Sequence, residues 1–358
     1  MYRRVVIGLS VLALMVLAAL GGIAAWRFID KTPYEQAVAA MPQDTLRATY
    51  TDWSQVRSLI GGADLDAGSS SGDVQRFLDR GFDADLISTS AISEATVALG
   101  EKYGFSPVDV SWEMYGQSRE GAVDVLRVKE SVDLGAVTDN LRKLGYKEPS
   151  SSGGVWTGSV DLVAQIDPAL SSVMSNVVVL EDEGLVLLSD AAAYASQTAD
   201  VVEGNGSSLA SGSGASDLAG LSEEPVSSVL FASDFACEAL SMASADEEDQ
   251  RVADEMVTAA GQIAPLSGLV MTHERDRSLV VGMQFETSDQ AEENLASRVE
   301  LASGDAVGQG GTFPERFRIS SARTEGETAV LTLEPTGERA ESALLSDLSQ
   351  GPVLFATC

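Results

Sequence analysis

The first patterned stretch of the chain body is a short β-prone run, Thr45 to Tyr50, followed by Thr51-Asp52-Trp53 and apolar positions at Val56, Leu59 and Ile60. An Asp just ahead of that spacing predicts a helix that starts after Asp52. The same order returns downstream, where Val226 to Ala232 is β-prone, Ser233-Asp234-Phe235 offers the cap, and a helix runs through Leu240. Each passage continues into a hairpin. Val110 to Gly116 and Ala122 to Lys129 flank the turn-like Gln117 to Gly121, while Gly268 to His273 and Leu279 to Glu286 flank Glu274 to Arg277. Helical patterns follow at Asp133 to Leu144 and Ser288 to Leu301. Two further β-prone pairs close the passages: Val177 to Leu180 with Leu185 to Leu188, and Phe317 to Ala322 with Thr328 to Leu333.

This repeated order predicts an α+β fold of two similar lobes, each a mostly antiparallel sheet with helices on one face. The lobes are expected at 32–202 and 225–358. Between them, 203–224 is rich in Gly and Ser and reads as an interlobe linker or a long surface loop. The groove between the lobes is the expected ligand site.

Ahead of the body, Val5 to Trp26 are 22 residues without a charge, preceded by Arg3 and Arg4 and followed by Arg27, Asp30 and Lys31. A helix of that length spans roughly 33 Å, enough for a hydrocarbon core about 30 Å thick. Residues 1–31 are therefore read as a cytoplasmic stub and a single-pass transmembrane helix, with the positive flank inside and the body extracytoplasmic. A cleaved signal peptide is the alternative, with Ala24 and Ala25 as the small residues at its end.

Composition narrows the function classes. The chain has 358 residues, 44% of them hydrophobic and 22% charged, which is a folding composition. Its 54 acidic against 23 basic residues leave a net charge of -31, a surface that repels phosphates and excludes non-specific nucleic-acid binding. Cys237 and Cys358 are the only cysteines. In an exported protein an even count predicts a disulfide, here closing a span of 121 positions; two separate buried thiols are the alternative.

The motifs carry little chemistry. Asp64-Leu65-Asp66 opens like a calcium loop, but Ser69 and Gln75 stand where a turn Gly and a bidentate Glu belong. Asp246 to Asp249 precede Val252, Met256 and Val257, so they read as the acidic first turn of a helix. Gly304 to Thr312 is a Gly-rich loop after a helix, without the Gly-Lys-Ser/Thr of a phosphate loop. His273, the single His, sits at a hairpin and reads as a solvated turn residue. No residue is assigned a catalytic, cofactor-binding or metal-binding role.

Three segments carry a resemblance: Met41-Pro42-Gln43-Asp44-Thr45-Leu46, the run Gly310-Gly311-Thr312-Phe313-Pro314-Glu315-Arg316-Phe317, and Gly351-Pro352-Val353-Leu354-Phe355-Ala356-Thr357-Cys358. With the apolar N-terminus, they make the chain similar to an exported family of high-GC Gram-positive bacteria. That resemblance implies location and architecture and brings no activity. The expected protein is a membrane-tethered envelope protein that binds an envelope protein or a small amphipathic ligand. The alternative is an extracytoplasmic hydrolase using carboxylates or a Ser outside any motif. Perturbed carboxylates in a polar pocket would favour the enzyme, and an apolar or amphipathic cleft without them the binder.

Overall fold

Side-chain caps set most helix starts. Thr32 and Glu35 form a reciprocal capping box around Pro33, opening the helix Pro33–Ala40. Asp52 accepts from the Gln55 N–H ahead of Trp53–Ile60, and Asp133 does the same for Ala136 ahead of Leu134–Leu144. Thr287 caps Ser288–Leu301, and Asp246 caps Glu247–Ala260, whose first turn holds Glu247, Glu248 and Asp249. Asp234 stands ahead of Phe235–Leu240, but its side chain makes no capping bond.

The computed structural model describes residues 31–212, 214–261, 263–337 and 343–358. The strands are β1 Arg47–Thr51, β2 Val110–Gln117, β3 Ala122–Val128, β4 Trp156–Thr157, β5 Asn176–Leu180, β6 Leu185–Ser189, β7 Ser227–Ala232, β8 Gly268–His273, β9 Leu279–Gln284, β10 Phe317–Glu325 and β11 Thr328–Pro335. They join into an 11-stranded sheet in the order β10-β11-β9-β8-β7-β1-β2-β3-β6-β5-β4, with antiparallel pairing throughout. β1 and β7 pair at its centre, with Ala48 opposite Leu230. Outward from that pair, β1-β2-β3-β6-β5 and β7-β8-β9-β11-β10 run in the same order, a pseudo-two-fold arrangement about the β1–β7 pair.

The fold is α+β as the sequence predicts, but helices cover both faces of the sheet. Neighbours on one strand show it: Val229 and Phe231 pack in one apolar cluster with Ala236, Leu240 and Phe355, while Leu230 and Ala232 pack in another with Ala37, Val38 and Ala195. A third cluster lies under Trp53, Phe77 and Leu141. β5 to β9 are buried at every residue, as strands covered on two sides must be. The physical reason is legible in Val177–Leu180, Leu185–Leu188 and Val229–Ala232, which are continuous apolar runs without the alternation of a half-solvated sheet.

Described residues of the 203–224 stretch take part in that packing. They include the 3-10 helix Leu209–Ser211 and the short α-helix Ala215–Ala219, and Leu209, Ala215, Leu218 and Ala219 are buried in the cluster that covers one face of the sheet. Among the described residues no helix is long and apolar enough to cross a membrane. The apolar run Val5 to Trp26 lies outside the described residues.

Candidate functional site

A cavity of about 650 Å³ opens at one end of the second-half strands. Ser233 and Asp234 reach it just after β7, Leu266 and Ser267 just before β8, Gln284 to Glu286 at the end of β9, and Glu327 from the β10–β11 turn. The 203–224 stretch supplies Gly214 and Asp217. The cavity is therefore bounded by second-half loops and by Gly214 and Asp217 of the connection, not by a groove between two lobes.

The lining is one-sided in its chemistry. Asp217, Asp234, Glu286 and Glu327 contribute four exposed carboxylates, and no Lys, Arg or His lines the cavity among the described residues. Among the described residues these carboxylates hold no hydrogen bond or ion pair, in contrast to the exposed pairs Arg142–Glu148 and Arg251–Glu255 elsewhere. Gln284 is 3% exposed, and its Oε1 has no hydrogen-bond partner among the described residues. Leaving a buried acceptor unmade costs about 1 to 3 kcal/mol, so this oxygen is a standing demand for a donor. Gly214 is what lets the Gln284 side chain lie there: with φ of +66°, a Cβ at 214 would stand 2.1 Å from Gln284 Oε1.

The disulfide lies behind this wall. Cys237 and Cys358 are bonded, with Cα atoms 5.4 Å apart, as the sequence predicts. The Leu266 N–H, from the cavity lining, points at both sulfurs at 3.4 and 3.5 Å. Arg298 completes the attachment. Fully buried, it donates to the Phe355, Thr357 and Ala264 carbonyls and lies over the Phe285 ring. Burial pulls its guanidinium down to about 10, far below the usual range for Arg.

Strongly perturbed carboxylates lie elsewhere, in a polar seam under the central strands. Glu113 on β2 is fully buried and accepts from Trp53 Nε1 at 2.8 Å and from the Ala91 N–H. Burial pushes its carboxyl up to about 6 against those bonds. Asp124 on β3 is fully buried with neither oxygen hydrogen-bonded among the described residues; burial first, and the Glu113 charge second, push it well above the carboxylate range. Thr49 donates to the Thr89 carbonyl, and the Thr51 and Thr89 hydroxyls meet at 2.7 Å. Asp85, starting the same crossing segment, accepts from the Leu345 and Ser346 N–H groups. Neither Glu113 nor Asp124 lines the three cavities described, the others being about 370 and 300 Å³, so the perturbed acids and the open cavities do not coincide.

The remaining sequence candidates fall into structural roles. Asp66 accepts from Gly68 and Ser69 in a local turn, and no group of three His, Cys, Asp or Glu positioned to hold a metal ion occurs among the described residues. The Gly304–Thr312 loop is held by Arg316, which donates to the Gln309 and Gly310 carbonyls. His273 is no solvated turn residue: it ends β8 at 6% exposure, paired with Leu279 on one side and Ser227 on the other. Gln284, Glu286 and Glu327 carry no local motif; only strand register gathers them.

No protein-family model matches the chain, and no curated protein matches it. Among solved structures, crystal form I of TP0453 aligns over 87% of this chain and 98% of that one, at 8% identity and a TM-score of 0.37. A superposition that loose transfers neither fold nor activity.

Proposed function

We propose that the chain is a membrane-tethered extracytoplasmic envelope protein whose folded body binds a ligand or partner, with the 650 Å³ cavity as its seat. The observation that carries the reading is the Cys237–Cys358 bond beside that cavity. Disulfides persist in oxidising compartments, and this one anchors the chain segment behind the cavity wall. The uncharged run Val5 to Trp26 supplies the tether, and the acidic body keeps clear of anionic lipid. The strongly perturbed acids Glu113 and Asp124 are sealed from solvent and stand apart from the cavity, which suits binding better than turnover.

Fractionation of cells expressing the full chain tests this reading, combined with maleimide labelling before and after reduction. The expected result is recovery in the membrane pellet with both thiols protected until reductant is added. Soluble protein with two free thiols would overturn it. Native mass spectrometry of the detergent-extracted full chain should then reveal a reproducible bound molecule.

A further inference from the structure

We infer that the outer edge of β10 pairs antiparallel with the same edge of a second copy of this chain, closing a two-fold dimer. β10, Phe317–Glu325, is nine residues long, the longest strand of the sheet, and it stands at one end of the order. Among the described residues no strand pairs with its outer side, and Ser320, Ser321, Ala322 and Arg323 are exposed. Such an edge is a row of backbone donors and acceptors that another strand can take up. The opposite end of the sheet is closed. There β4 has two residues, and Lys147 exchanges both backbone bonds with Thr157 on its outer side, at 2.8 and 3.1 Å. One open edge and one closed edge allow a closed pair and leave no second edge for a growing filament.

The occupant follows from register and charge. Ladder bonds alternate along an antiparallel strand, and the Glu325–Thr328 pair closes the two-residue turn at Gly326 and Glu327, so Thr324 and Ala322 turn their N–H and C=O groups outward. At the other end Thr336 donates to the Arg316 carbonyl, and by the same alternation Ile319 also turns outward. Ser320 is the extra residue between Ile319 and Ser321, its Oγ donating to the Thr332 carbonyl. A bulge of this kind spoils pairing with a regular strand. Against its own copy the two bulges lie symmetrically about Ala322 and offset one another. Ala322 then faces the partner's Ala322 and Arg323 faces the partner's Ser321; past each bulge, Thr324 faces the partner's Ile319 and Glu325 faces the partner's Arg318. Residues turned outward thus meet residues turned outward. The charges agree with this register. Arg318, Arg323, Glu325 and Glu334 share the face of the hairpin opposite to Leu331 and Leu333, and they already form the pairs Arg318–Glu334 and Arg323–Glu325. Dimer formation joins these pairs into two rows of alternating sign, each running Glu334, Arg318, the partner's Glu325 and the partner's Arg323, with no like charges opposed. In a chain of 54 acidic and 23 basic residues, most of the surface repels a second copy, and this edge does not.

Sedimentation equilibrium of the full-length chain in density-matched detergent, over about 1 to 100 μM, is the test. The expected result is a reversible monomer–dimer equilibrium that Ala322→Pro weakens about tenfold or more, because proline removes the N–H offered at the centre of the edge. Arg318→Glu should weaken it several-fold, since it sets a carboxylate against the partner's Glu325 in both rows. Both positions are exposed, so both variants should melt near the wild-type temperature, and Arg318→Glu carries the test if the proline unfolds the hairpin. A short bis-maleimide should link Ala322→Cys chains into dimers and leave Arg119→Cys chains, exposed between β2 and β3, unlinked. A chain that stays monomeric, a dimer that the folded edge variants leave unchanged, or linkage of Arg119→Cys but not of Ala322→Cys overturns the proposal. So does a monomer from which Ala322→Pro strips a co-purifying protein, which would assign the edge to a foreign strand.

Discussion

The two halves of the sheet repeat one strand order and fill equivalent positions with opposite chemistry. Near the centre of β1 stands Thr49, its β2 partner is Tyr115, and the next partner on β3 is Asp124. The corresponding row outward from β7 on the other side runs Phe231, Leu269 and Met283. In the second half that row is part of a continuous apolar cluster, closed by Phe355 and fastened by the disulfide and Arg298. In the first half the row is polar, and hydrogen bonds from Thr49 and Thr51, with Glu113 accepting from Ala91, tie down the segment that crosses it. One backbone frame thus accommodates either solution. The polar one leaves Asp124 buried without a hydrogen bond among the described residues, which is the weak point of the first half.

The sharpest way to break this comparison is to exchange the chemistry. Met283→Asp would place a carboxylate in the second-half apolar cluster with no designed partner, and it should cost about 5 kcal/mol or prevent folding. Denaturant unfolding that reports a loss under about 1 kcal/mol would show that the two halves are interchangeable after all. Next in size, Cys358→Ser opens a link across 121 positions and should cost about 4 kcal/mol, a figure at the upper end of what chain entropy allows. Adding reductant to the wild type should reproduce that drop in melting temperature and leave the variant unmoved.

The polar half responds in the other direction. Asp124→Leu should raise stability by about 2 kcal/mol, because the buried carboxyl loses its desolvation cost and no partner is orphaned. A decrease would reveal a partner for Asp124. Glu113 adds a pH signature. Its folded value of about 6 lies above the ordinary 4.5, so the native state holds this proton more tightly than the unfolded chain does. The stability it contributes is complete below about pH 4.5 and lost as pH rises through about 6. Subtracting the Glu113→Gln profile from the wild type should isolate a rise on acidification through this window; a difference that falls there contradicts the assignment. The smallest effect belongs to Thr51→Val, which removes the hydroxyl contact to Thr89 and should cost about 1 kcal/mol in thermal unfolding.

Much of the fold was legible in local pattern, for reasons that particular elements illustrate. Asp52 caps its helix where the local pattern places it, and a helix follows Asp234 as expected although that side chain makes no capping bond. The Val110 and Ala122 runs pair as a hairpin because both strands and their turn are contiguous. Ser288–Leu301 begins and ends as its periodicity predicts. The cavity was not legible. Its acids come from the short helix of the connection, strand ends and a strand turn, separated by up to 110 positions between Asp217 and Glu327, and solvent-exposed carboxylates are common in a chain with 54 acidic residues. The burial of Glu113 and Asp124 was not legible either, since the expectation of helices on one face does not say that a crossing segment and helices will cover both.

By itself the sequence determined the element types, the antiparallel hairpins, the acidic surface and the two cysteines able to pair, because caps, periodicity and composition act over a few residues or none. Only the tertiary structure decided that β1 and β7 join the halves into one sheet, that helices lie on both faces, and which acids meet at one cavity. It also decided that Asp124 is sealed away while Glu327 faces solvent. The reason is that strand register and burial arise from pairing between segments far apart in the chain, and no local preference of either segment encodes the partner it will meet.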